Sequence, residues 1–147
     1  MGVCFYSPLG GGLLTGKSRA NSAGAGDEGP ARPFVVWTES TDQIRAVVDE
    51  TLAVASEIQT PPEQVAIAWL RARDAVSSTA LVTLIGPRTL RQLDSYLAAL
   101  EVELSADQLK RLDSVSAPAL GNPYTGIAGP PDLSDRQRLG PRSIPVC

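Results

Sequence analysis

Histidine is absent from this sequence altogether. That removes the commonest general acid or base near neutral pH and the commonest metal ligand. Cysteine is nearly absent too: Cys4 and Cys147 stand at opposite ends, with no spacing that suits a metal. Such usage argues against a disulfide scaffold and fits a reducing cytoplasm. Cys4 lies in an apolar run and reads as a small packed hydrophobe, whereas the terminal Cys147 reads as exposed. No run approaches the ~18–20 apolar residues of a membrane span. The N-terminal residues lack the basic and apolar regions of a secretory signal. A formal charge of −3 without a basic tract makes nucleic acid and anionic membranes poor partners.

What is present is enough for one ordinary domain: 147 residues, 43% of them apolar. Gly2 to Tyr6 reads as a short buried strand, stopped by Ser7-Pro8. Residues 18–33 are small, polar and rich in glycine and proline, and read as a surface loop. Phe34-Val35-Val36-Trp37 is a brief apolar patch. Thr41 reads as an N-cap, with Ile44, Val47, Val48, Leu52, Ala55 and Ile58 at helical spacing, which predicts a helix over 42–59. Thr60-Pro61-Pro62-Glu63 reads as a capping box with prolines in the first turn of a second helix, to about Arg73.

Leu81 to Ile85 is a second β-rich run, ending at Gly86-Pro87. Thr89-Leu90-Arg91-Gln92 has a capping pattern, and Leu90, Leu93, Leu97 and Leu100 carry a helix to about Val102. Ser105-Ala106-Asp107-Gln108 caps a last helix bearing Leu109, Leu112 and Val115. After Ser116 the density of proline and glycine excludes long regular elements. The order is two β/α units, which implies parallel strands joined by right-handed crossovers. Two parallel strands alone do not make a stable sheet.

Two loops carry chemistry. The first is Tyr6-Ser7-Pro8-Leu9-Gly10-Gly11-Gly12-Leu13-Leu14-Thr15-Gly16-Lys17. Its residues 11–18 match G-x-x-x-x-G-K-[ST], the phosphate loop of a nucleotide-binding protein. That motif requires a helix to start within the loop, with its N-terminus facing the phosphate. The residues after Ser18 have no apolar stripe, and no later strand ends in a metal-holding aspartate. Phosphate-loop nucleotide binding is therefore a minor alternative. The second loop is Ile85-Gly86-Pro87-Arg88-Thr89. There a strand ends, a glycine permits close approach, and a helix N-terminus and Arg88 can attract an anion.

Both loops follow strand C-termini one β/α unit apart, and in a (β/α)₈ barrel the loops after the last two strands frequently bind phosphate. Three blocks in the right order carry a family resemblance. GVCFYSPLGGGLLTGK (2–17) resembles the seventh strand and following loop of aldo/keto reductases. PPEQVAIAWLRAR (61–73) resembles the intervening helix. TLIGPRTLRQLDSYLAALEVELSADQLKRLDSVSAP (83–118) resembles the eighth strand, its nucleotide-binding segment and the final barrel helix.

The resemblance implies an α/β fold: a partial (β/α)₈ TIM barrel over residues 1–118, its last two β/α units, with an irregular tail over 119–147. It implies NADPH, or less often NADH, as cofactor. Tyr6 matches the aromatic that stacks on the nicotinamide. Ser7, Pro8, Leu9 and Gly10 match the lining of the pyrophosphate and ribose, and Lys17 a phosphate contact. Gly86, Arg88 and Gln92 match the group around the adenosine and its 2′-phosphate. Ser95 and Tyr96 stand where relatives carry an acidic residue and an asparagine at the adenine edge. Relatives often have arginine or serine in place of Gly11.

Aldo/keto reductases move a hydride from the nicotinamide to an aldehyde or ketone, and a tyrosine tuned by lysine, aspartate and histidine protonates the oxygen. That tetrad belongs to early barrel strands, and none of its residues can be carried over here. The expectation is a chain that supplies the NADP(H) half of a site. By itself it lacks carbonyl reductase activity, and an N-terminal portion would complete it. The alternative is a non-catalytic remnant that binds a dinucleotide or a partner, with self-association through open strand edges.

Overall fold

A computed structural model of the chain describes residues 2–16 and 39–119. Lys17, the loop over 18–33, the patch at 34–37, Cys147 and nearly all of the tail lie outside the described residues. The elements run β1 (Val3–Phe5), a 3-10 segment (Gly10–Thr15), α1 (Asp42–Glu57), α2 (Pro62–Val76), β2 (Leu81–Thr83), α3 (Leu90–Ala98) and α4 (Ala106–Ser116). The chain divides into two compact units, Met1–Ser116 and Ala117–Cys147, and all these elements belong to the first. β1 and β2 pair in parallel, with Val3 opposite Leu81, Cys4 opposite Val82 and Phe5 opposite Thr83.

The strands are shorter and barer than the sequence predicts. β2 stops at Thr83 rather than Ile85, although the Leu84 N–H still donates to the Phe5 carbonyl at 3.0 Å. Val3, Val82 and Cys4 are exposed, so Cys4 is not the packed hydrophobe expected of it. The reason is topological. A buried parallel strand needs a neighbour on each side and cover on both faces, and here each strand pairs only with the other among the described residues.

The helices follow their local signals with instructive exceptions. Thr41 caps α1 by accepting from the Ile44 N–H at 3.1 Å. Ser105 and Gln108 form a complete capping box at α4: each side chain accepts from the other residue's backbone N–H, at 3.2 and 3.0 Å. Thr60 does not cap α2. Its N–H donates to the Ala55 carbonyl (2.9 Å) and the Gln59 N–H to Ser56 (3.3 Å), closing α1 with a Schellman turn. The Thr60 hydroxyl donates to the Ile58 carbonyl, and Pro61 takes the N-cap position. A tight α1–α2 connection has consumed the residue that the capping box needed. Helix α3 ends at Ala98 rather than Val102. There the chain tightens into i→i−3 bonds, and the Arg71 guanidinium donates to the carbonyls of Ala99, Leu100 and Val102.

Helix α2 is central, with four consecutive buried residues from Val65 to Ala68. One core cluster joins α1, α2 and α4 through Val54, Ala55, Val65 and Leu112, with Trp69 packed against it. The other joins Leu9, Ala66, Ile67 and Ala99, with Leu14 and Tyr96 alongside. Val48, Val54 and Val65 are fully enclosed, each contributing about 1.5–3 kcal/mol by burial. Polar ties finish the helix contacts. The Trp69 indole N–H donates to Asp113 Oδ1 at 2.8 Å, and Arg111 spans Glu50 and Glu57. Hydrogen bonding from Arg111, then Gln108, holds the Glu57 carboxyl below the ordinary range, and the same pairing raises the Arg111 guanidinium further. Among the described residues no helix is long and apolar enough to cross a membrane, and no group of three His, Cys, Asp or Glu could hold a metal.

Candidate functional site

Tyr6 directly follows β1 and is 77% exposed at the mouth of the glycine-rich loop. Ser7 then turns the chain with a positive φ of 55°, a left-handed conformation that non-glycine residues rarely adopt. Its Oγ accepts from the Gly11 N–H (3.1 Å) and its carbonyl from the Gly10 N–H (2.9 Å). The hydroxyl proton is what Ser7 has left to donate outward. Beyond it, the N–H groups of Gly12 and Leu14 donate to the Leu9 carbonyl and that of Gly16 to Leu13. Leu9 and Leu13, each 8% exposed, pin the loop to the core.

Over the described part of the motif, residues 11–16, this arrangement argues against the phosphate-loop reading. A phosphate loop aims its backbone N–H groups at the ligand. Here those of Gly10, Gly11, Gly12, Leu14 and Gly16 are spent inside the loop. What the loop presents is a surface of close approach. At Gly12, with φ of 100°, an added Cβ would meet nothing within 4 Å.

The second loop leaves β2 beside the first, because Leu84 still bonds to Phe5 where β1 passes into Tyr6. Thr89 caps α3 by accepting from the Gln92 N–H (3.2 Å). Gln92 Oε1 accepts from the Arg88 N–H (2.7 Å), one residue before the reciprocal partner of a full capping box. The first-turn N–H groups of Leu90 and Arg91 have no carbonyl behind them in the helix. Helices α1, α2 and α4 each carry an acidic residue in the first turn, Asp42, Glu63 and Asp107; α3 carries none. It has Arg91 there and Arg88 just ahead. Cations at the positive end of a helix dipole disfavour the helix unless an anion is near.

The sequence-predicted residues therefore separate. Tyr6, Ser7, Pro8 and Gly10 gather at the end of β1, and Gly86, Arg88 and Gln92 at the adjoining end of β2. Leu9 gives its side chain to the core, leaving its backbone to the loop. Ser95 is engaged elsewhere: its Oγ donates to Glu63 Oε1 (3.0 Å) and accepts from Gln64 Nε2 (3.2 Å), tying α3 to α2. Tyr96 packs against the cluster that contains Leu9. Lys17 lies outside the described residues. Arg91 joins the predicted residues as a further candidate, in a first helical turn that carries no acid.

The aldo/keto reductase family profile matches residues 1–117. The chain belongs to the aldo/keto reductase family. It is 34% identical over 104 residues to an uncharacterized oxidoreductase of Mycobacterium tuberculosis, covering 71% of this chain and 30% of that protein. It is 33% identical over 111 residues to Protein tas of Escherichia coli, covering 75% and 30%. An uncharacterized oxidoreductase of Bacillus subtilis is 29% identical over 115 residues, covering 78% and 32%. The chain thus spans about a third of the length of these relatives. The family is generally one of NADP(H)-dependent reductases built on a (β/α)₈ barrel, and the parallel β1–β2 pair with its helices is a small α/β piece consistent with it. The donor set fits a dinucleotide phosphate. It comprises an exposed aromatic, a hydroxyl, a glycine surface open to close approach, and a helix N-terminus with two arginines and no carboxylate in its first turn.

Proposed function

We propose that this chain supplies the NADP(H)-binding half of an aldo/keto reductase site, as the last two β/α units of a (β/α)₈ barrel. The observation that carries the reading is the shared edge. Two ligand-competent loops leave the same end of one parallel pair, and the second opens an acid-free helix behind Arg88. In this reading Tyr6 offers its ring face to the nicotinamide, and Ser7 donates its hydroxyl proton to a ribose or phosphate oxygen. Gly10 and Gly12 let the ligand lie close to the backbone. Arg88, with the α3 N-terminus, holds the 2′-phosphate. NADPH, when bound, supplies the hydride that reduces an aldehyde or ketone.

The acid that protonates the carbonyl oxygen comes from elsewhere. There is no histidine in the chain. Tyr96 is packed against core, and Tyr6 is assigned to the nicotinamide in this reading. Purified chain is expected to bind NADPH yet reduce no aldehyde. The Arg88→Ala variant tests the assignment by fluorescence titration. NADPH affinity falls by about 10- to 100-fold, the loss of one charge-assisted phosphate contact, and NADH affinity barely changes. Equal losses for both cofactors, or none for NADPH, would reject the assigned role.

With Tyr96 packed against the core and Tyr6 assigned to the cofactor, a second reading is a non-catalytic dinucleotide binder. Mixing the chain with the remaining barrel portion of a relative, with NADPH and an aldehyde, separates the two: turnover appears only under the first.

A further inference from the structure

The first turn of α2 reaches across to the flank of α3. Ser95 Oγ donates to Glu63 Oε1 (3.0 Å) and accepts from Gln64 Nε2 (3.2 Å), so a carboxyl and an amide from α2 meet at one hydroxyl of α3. The serine uses one oxygen of the carboxyl and one hydrogen of the amide. Glu63 Oε2, Gln64 Oε1 and the second Nε2 hydrogen are not needed for it. All three residues are half-buried, open to a ligand yet partly shielded from water. Ser95 stands about 8 Å along α3 from Leu90, at 1.5 Å rise per residue. A base reaches about that far from the 2′-phosphate of its own ribose, and that phosphate is assigned above to Arg88 and the α3 N-terminus.

We propose that Glu63 and Gln64 read the purine base of the bound dinucleotide and select adenine. In this role Glu63 accepts from the exocyclic amino group and the Gln64 amide bonds the neighbouring ring nitrogen, the pattern by which carboxylates and amides tell bases apart. Ser95 is a positioning residue that holds both groups side by side. The inference rests on the proposed function and adds the base to that site. The side chains of α3 do not supply the discrimination themselves. Hydroxyls such as those of Ser95 and Tyr96 donate or accept as required, so they suit an amino group or a carbonyl equally. Gln92 turns its Oε1 to the Arg88 N–H (2.7 Å), and its amide hydrogens match a ring nitrogen that purines share. Asp94 lies on the opposite side of α3 from Tyr96, two residues away. A fixed acceptor beside the base is what distinguishes adenine, and Glu63 is the acceptor that Ser95 holds in place.

Fluorescence titration of the full chain with NADPH and with its hypoxanthine analogue tests the assignment. In the analogue a carbonyl oxygen replaces the amino group, so an acceptor would face Glu63. The native chain is expected to bind NADPH about 10-fold or more tightly than the analogue. Glu63→Gln is expected to weaken NADPH by about 5- to 10-fold and to leave the analogue unchanged or tighter, because the new amide can donate to the carbonyl. Gln64→Leu is expected to reduce the preference for NADPH as well. Helical circular dichroism during urea unfolding shows that each variant remains folded. Equal affinities for the two cofactors in the native chain, a preference that survives both variants, or equal losses for both cofactors would overturn the proposal. The two readings fail separately. If the native chain saturates with both cofactors without telling them apart, only the base assignment falls. If neither cofactor saturates, the cofactor reading falls and takes the base assignment with it.

Discussion

Gly16 closes the glycine-rich loop with φ of 72°, and an added Cβ would stand 2.8 Å from Leu52 Cδ2 on α1. Gly12 has φ of 100° and open space around the same position. Alanine at either site must adopt a conformation that costs L-residues about 1–2 kcal/mol. At Gly16 it must also displace a half-buried leucine, an overpacking cost of about 1–3 kcal/mol. Gly12→Ala is therefore expected to destabilise by about 1–2 kcal/mol and Gly16→Ala by about 2–5 kcal/mol. Urea unfolding followed by helical circular dichroism measures both. A double-mutant cycle isolates the cause. In a Leu52→Ala background the extra cost of Gly16→Ala should disappear, while that of Gly12→Ala persists. Equal costs at the two glycines, or a cycle with no coupling to Leu52, would refute the loop geometry on which the candidate site rests.

Gln59 occupies the left-handed position of the Schellman turn after α1, with φ of 53°. Gln59→Gly should stabilise by about 0.5–1 kcal/mol, read as a higher urea midpoint. Leu9→Ala should cost about 2–4 kcal/mol by the same assay, because the residue pins the loop into the core cluster. The Glu57 carboxyl is held below its ordinary value of 4.5. Its folded pKa lies under the unfolded one, so its contribution is complete above the ordinary value and is lost as pH falls through the folded pKa. The stability difference between native chain and Glu57→Gln should be flat at neutral pH and vanish in acid; a difference that grows on acidification contradicts the Arg111 pairing.

Much of this architecture was legible in local chemistry. Thr41 and Ser105 announced their helices correctly because a cap is a contact between near neighbours, and the order of two β/α units follows from the same signals. Failures came where a residue had two possible employers. Thr60 carries a capping letter, yet the Schellman turn used it first. Ser95 reads as a ligand residue, but Glu63 and Gln64, some thirty positions earlier, already hold its hydroxyl. The stripe from Leu90 to Leu100 marks a helix, and periodicity alone cannot say whether anything lies opposite it. For the same reason the strands looked buried, since composition alone does not say how many neighbours a strand has, and among the described residues each has one.

The central claim is that the ends of β1 and β2 form one dinucleotide site. Amide chemical-shift mapping during an NADPH titration of the full chain tests it most directly. The account predicts saturable shifts at residues 6–12 and 86–92 moving with a single dissociation constant, and a sharply weakened response at 86–92 in Arg88→Ala. Shifts confined to one loop, two unrelated constants, or no saturation at either loop would contradict it.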